Sequence, residues 1–117
     1  MAQDIKRYGV TAAIDAGDIE AELDRLWPQL AADPQVLAIL KKRNVAPADF
    51  KARPRAEVLS VRLSGQGADP ATIALVVSAG ALLVEVAKDI WEIVIVPKLK
   101  QKYGQDSLPP KDSNHDT

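Results

Sequence analysis

TIALVVSAGALLVEVAKDIWEIVIVPKLK, residues 72–100, is the longest apolar run in the chain, and its reading decides the fold. Asp69 and Pro70 stand just before it. An Asp side chain can cap free amide groups, and a proline sets φ for a first helical turn. Nothing after them breaks a helical pattern until Pro97, so the spacing predicts one long C-terminal helix over about residues 70–96. At 1.5 Å per residue it would be about 40 Å long. An alternative ends the helix near Asp89 and makes residues 91–96 a third strand, because the consecutive β-branched residues Ile93 to Val96 also suit a sheet.

Such a segment is long enough to cross a bilayer. Its charges argue against that. Glu85, Lys88, Asp89 and Glu92 would each cost about 2.5 to 3.5 kcal/mol near a membrane centre, more than the Leu, Ile and Val residues of the run return at about 0.3 to 0.6 kcal/mol each. Read as a helix at about 100° per residue, the four charges share one arc, which Ala71, Ala74, Ser78 and Ala81 continue. Lys88 has Glu85 and Glu92 within helical reach, so the stripe is partly self-neutralised. Glu85, Lys88, Asp89 and Glu92 form a candidate ionic stripe, with a solvated face as its simplest reading.

Roughly 220° of the circumference stays apolar, about twice what a surface helix buries. Either the domain's own elements wrap this helix, or a second copy or another protein covers one flank. Val77, Val84, Trp91 and Ile95 share a flank and are the candidate interface. For Trp91 alone, a place in the core is the simpler reading.

Outward from this run the elements are shorter. The segment 8–14, YGVTAAI, carries Val10, Ala12 and Ile14 on one face and reads as a strand. Asp18, Glu20 and Glu22 suit a helix start, and Ile19, Leu23, Leu26, Trp27 and Leu30 recur at helical spacing, predicting a helix over 18–32 that kinks or restarts at Pro28. Asp33 and Pro34 open a second helix with Val36, Leu37 and Leu40 on its apolar face, closed by cations and by Asn44, which tolerates the left-handed region. One turn fits residues 47–52. EVLSVRLS, residues 57–64, alternates Leu59, Val61 and Leu63 with Ser60 and Arg62 and reads as a strand before a Gly-rich turn. Gly104 stops a basic final turn, and residues 105–117 read as a mobile polar tail.

The expected fold is therefore α+β, mainly helical with a small sheet, in the order strand, helix, helix, strand, long helix, within one domain over residues 1–104. A chain of 117 residues suits one core. That core must be aliphatic, since Trp27, Trp91, Tyr8, Tyr103 and Phe50 are the only aromatic residues.

Chemistry is sparse. With no cysteine, thiolate metal sites, disulfides and cysteine nucleophiles are excluded. The only histidine, His115, lies in the polar tail without a partner for acid–base work or metal binding. Glu85 and Asp89, one turn apart, could share a proton or a hard cation, but Lys88 beside them favours salt bridges. Ser60, Ser64 and Ser78 have no histidine to serve as base. The SGQGADP turn, residues 64–70, lacks both phosphate-loop spacings. No cofactor and no catalytic residue is expected.

A net charge of −1 gives no overall pull toward nucleic acid or anionic lipid. Its distribution is uneven: residues 15–33 hold six acids against Arg25, and residues 41–62 hold seven bases against Asp49 and Glu57. Only Phe50 is interleaved with the bases for stacking, which disfavours nucleic acid and points to a protein partner or a homo-oligomer. The MAQDIKRYGV start has no apolar signal core, so a cytoplasmic location is expected. The resulting expectation is a small non-enzymatic interaction or assembly subunit, such as an accessory component of a larger bacterial-type system, that presents an apolar flank of the helix over about 70–96 to a partner or second copy. Its rival is a membrane-associated protein whose long helix inserts as an oligomer.

Overall fold

The computed structural model describes residues 2–9, 15–64 and 74–109. Strand β1 (Ala2–Gly9) is followed by helices α1 (Ala16–Leu30), α2 (Pro34–Lys42), α3 (Pro47–Lys51) and α4 (Arg55–Val58), which runs directly into strand β2 (Leu59–Ser64). Strand β3 (Ala74–Gly80) and a short 3-10 turn (Ala81–Leu83) lead to the C-terminal helical run. That run is α5 (Val84–Asp89), a π-helical segment (Ile90–Ile95) and α6 (Val96–Tyr103). The class is α+β, mainly helical with a small sheet, as expected.

Helix starts follow the local chemistry. At α1, Asp15 accepts the Asp18 amide at 2.8 Å while Asp18 accepts the Asp15 amide at 3.2 Å, a reciprocal capping box. The helix begins at Ala16 and passes through Pro28 rather than restarting there. At α2, Asp33 accepts the Gln35 amide at 2.7 Å with Pro34 in the first turn, and Asn44 takes φ 60° beyond its end. Leu37, expected on the buried face of α2, is 38% exposed; Val36, Ile39 and Leu40 are buried instead.

The sheet corrects the reading of the apolar run. Its order is β1-β3-β2, antiparallel throughout, so residues 74–80 form the central strand rather than the first half of a helix. The sheet does have a third strand, but it lies here and not at 91–96, which are helical. A centre strand buries both faces. Leu75, Val77 and Ala79 join the core, and Ala74, Val76 and Ser78 are buried on the opposite face. Gly80 ends the strand where a Cβ would stand 1.9 Å from the Glu57 carbonyl oxygen, a close approach that only glycine permits.

The predicted strand over 8–14 overlaps β1 only at Tyr8 and Gly9, and residues 10–14 lie outside the described residues. Leu59 and Val61 of β2 point into the core, whereas Leu63, at the end of the strand, is 53% exposed. The 65–73 turn, with its two glycines and its Asp-Pro pair, also lies outside the described residues.

The helix continues past Pro97 because of the π segment. Val96 donates its amide to the Trp91 carbonyl, five residues back, and the wider turn leaves room for a proline that has no amide to give. Gly104, at φ 111°, ends α6 by donating to the Lys100 carbonyl at 2.8 Å. Residues 105–109, assigned to the tail on composition, pack on the domain: Leu108 is 1% exposed, and the Pro109 carbonyl accepts the Gly9 amide at 2.7 Å.

Within the fold α1 lies against β2, α5 against β3 and β1, and α2 against the π segment. Trp91 is at the centre, 0% exposed, with its indole N–H donating to the Tyr8 hydroxyl at 2.8 Å. Burial pushes the Tyr8 hydroxyl above its ordinary pKa.

Candidate functional site

Three of the four candidate interface residues are core. Val77 sits in the central strand, and Trp91 and Ile95 lie on the inner side of the C-terminal helix, all fully buried. The helical spacing that groups them runs through a segment whose first half is a strand, so no flank common to all four exists. Val84 alone remains half-buried near the surface.

Val84 lines a cleft of about 280 Å³ together with Arg43, Val45, Ala81, Leu83, Glu85 and Val86. The cleft is formed where the end of α2 meets the start of α5. Its walls are apolar except for Arg43 and Glu85. Arg43 donates from Nε to Asp89 at 3.0 Å and stands 3.8 Å from Glu85. The hydrogen bond to Asp89 raises the Arg43 pKa above its ordinary value. Glu85 and Asp89, weighed as a cation or proton-sharing pair, thus both face a guanidinium, which opposes a cation there.

The ionic stripe lies on the solvent side, but it splits between two neighbours. Glu85 and Asp89 turn to Arg43 of the loop after α2, while Glu92 stands 3.6 Å from Lys6 of β1. Lys88 is half-buried. Next to Glu92 in the chain, Ile93 is 47% exposed, and the half-buried Val96 and the exposed Pro97 follow one turn on. Spacing did not single out Ile93, because the π segment turns each residue less than an α-helix does and shifts which side chain faces out.

Part of the charge asymmetry is satisfied inside the chain. Arg55, from the basic middle, is nearly buried and donates to Glu20 at 2.8 Å, to Asp24 at 2.9 Å and to the Leu59 carbonyl at 3.0 Å. Burial works against its charge, and the hydrogen bonds to Glu20 and Asp24 outweigh it, so its pKa is raised. The other oxygen of Glu20 accepts the Val61 amide at 2.5 Å, closing a backbone donor of β2, an outer strand of the sheet.

Glu22 of α1 is almost fully buried between Arg25 and Lys102, the latter at 2.8 Å. Hydrogen bonds from Arg25 and then Lys102 lower its pKa to about 2. Of the serines weighed as nucleophiles, Ser78 donates to Asp4 at 2.8 Å and Ser60 is half-buried on β2. His115 lies outside the described residues.

Among the described residues, no helix is long and apolar enough to cross a membrane. No family model matches the chain, and neither the curated proteins nor the solved structures provide a match.

Proposed function

We propose that this chain is a small non-enzymatic interaction or assembly subunit that binds a protein partner with the outer stripe of its C-terminal helix, running from the Val84 cleft to Pro97. The observation that carries this reading is Ile93, 47% exposed in the middle of a helix whose other large apolar side chains are buried or half-buried. An exposed apolar side chain on a helix that also carries the exposed charges Glu85, Glu92 and Lys98 has the pattern of an interface centre within a polar rim. Leu37, on the helix packed against this segment, adds a second exposed leucine-sized group. Support also comes from the π segment, since such widened turns recur at functional sites. A cytoplasmic setting accompanies this reading.

The test is a photoreactive amino acid placed at position 93, with position 29 on α1 as the exposed control, followed by mapping of any crosslinked peptides. The expected result is a defined protein adduct from position 93 alone, lost in an Ile93→Asp chain that carries the photoreactive group at position 97 and melts like the parent. Equal adducts at both positions, or none, would sink the proposal.

A further inference from the structure

Resting on that reading, we propose that the partner is a second copy of this chain, its C-terminal helix lying antiparallel to the first across a twofold axis at Val96. The argument is the charge order along the solvent stripe. The stretch before the apolar centre is net acidic, with Glu85, Asp89 and Glu92 against Lys88, and bases follow it at Lys98 and Lys100. Glu92 and Lys100 stand four residues either side of Val96. An antiparallel twofold therefore sets Glu92 of each copy opposite Lys100 of the other, and the pairing occurs twice. A parallel arrangement would instead set acid against acid and base against base.

Exposure agrees with this register. The Glu92 side chain is 50% exposed, and Val96 and Lys100, which follow it at four-residue helical spacing, are half-buried. Ile93, three residues before the axis and at the edge of the same face, comes level with the stretch between Val96 and Lys100 of the second copy, so the side chain left uncovered by one domain is covered by the other. Self-complementarity of this kind is what an isologous interface requires. The competing contact of Glu92 is Lys6 at 3.6 Å, a half-exposed pair of the sort that contributes little and is readily shared. One helix face is smaller than a standard interface, so the dimer is a weak one.

Sedimentation equilibrium from about 10 to 500 µM, at low salt and at about 1 M salt, reads the association directly. The expected result is a concentration-dependent dimer that salt weakens. Glu92→Lys should weaken it roughly tenfold, and Glu92→Lys with Lys100→Glu should restore it, since the reversed pair is again opposite in sign. Glu92 is exposed and Lys100 half-buried, and a melting curve for each variant checks that folding is unchanged. A monomer throughout, or a double reversal no better than the single one, overturns the second copy as partner. The mapped adduct at position 93 separates the two ideas. A crosslink to a different chain keeps the interaction reading and ends the dimer, a crosslink between identical helices supports both, and no crosslink with a monomeric chain ends both.

Discussion

Residues 74–80 and residues 84–100 belong to one apolar stretch, yet the fold uses them in opposite ways. In β3 every side chain from Ala74 to Ala79 is buried, three on each face of the sheet, and the strand holds no charged residue. In the helical run Val86, Ala87, Ile90, Trp91, Val94 and Ile95 point inward, and charges mark the opposite side. A central strand has no solvent face, so nothing in its sequence needs to alternate. A helix leaning on a core from one side does have such a face, and its charges reveal the period. The difference shows that an absence of charged residues identifies burial all round, not a helix with a wide apolar arc.

The comparison breaks most severely at Trp91. Trp91→Glu should abolish cooperative folding, because it leaves a carboxylate without a partner where the native side chain is 0% exposed and takes away the donor to Tyr8. The expected cost exceeds about 4 kcal/mol and would be seen as loss of the thermal transition by circular dichroism. A folded variant with changed association would instead put Trp91 at a surface.

Next comes the junction between the two halves. Gly80→Ala drives a methyl group into the Glu57 carbonyl, and a backbone atom cannot swing aside as a side-chain end can. A loss of about 2 to 3 kcal/mol is expected in the urea midpoint. An unchanged midpoint would mean that α4 and β2 can shift away from the end of β3 freely.

A smaller effect sharpens the helical half alone. Glu22 ties α6 to α1 through Lys102, and its folded pKa of about 2 lies below the ordinary 4.5. A depressed carboxylate contributes stability that is fully present above pH 4.5 and is lost as pH falls toward 2. Glu22→Gln should therefore be less stable than the parent at neutral pH, with the two urea-unfolding curves converging as pH approaches 2. A gap that stays constant across that range would show that Glu22 acts by packing rather than by charge.

The mildest expected change is at Ile93. Ile93→Asp should alter stability by no more than about 0.5 kcal/mol, in contrast to its buried neighbours, because the native side chain is already half in water. A loss comparable to that of a core substitution would show that the exposed side of the helix is not free.

Much of the fold was legible where a signal is local. The Asp15–Asp18 box, the Asp33–Pro34 start, the Asn44 and Gly104 ends, and the Leu59 and Val61 alternation all depend on residues a few positions apart. The candidate site was less legible. Val77 and Trp91 were joined by a helical period that the chain does not keep, and Gly80 carried the one local sign of a break between them. Arg55 and Glu20 are far apart in sequence, so the pairing that joins the acidic helix to the basic middle is invisible without the fold.

What the sequence determined by itself is the class of the protein: an aliphatic α+β domain without cysteine chemistry, whose long apolar run carries too many charges for a solitary membrane span. What only the tertiary structure decided is that this run divides at Gly80, with a strand on one side and a helix on the other. The reason is physical. A short apolar run satisfies its backbone equally well in a helix or between two strands, and only the presence of β1 and β2 on either side of β3 makes the second choice the stable one.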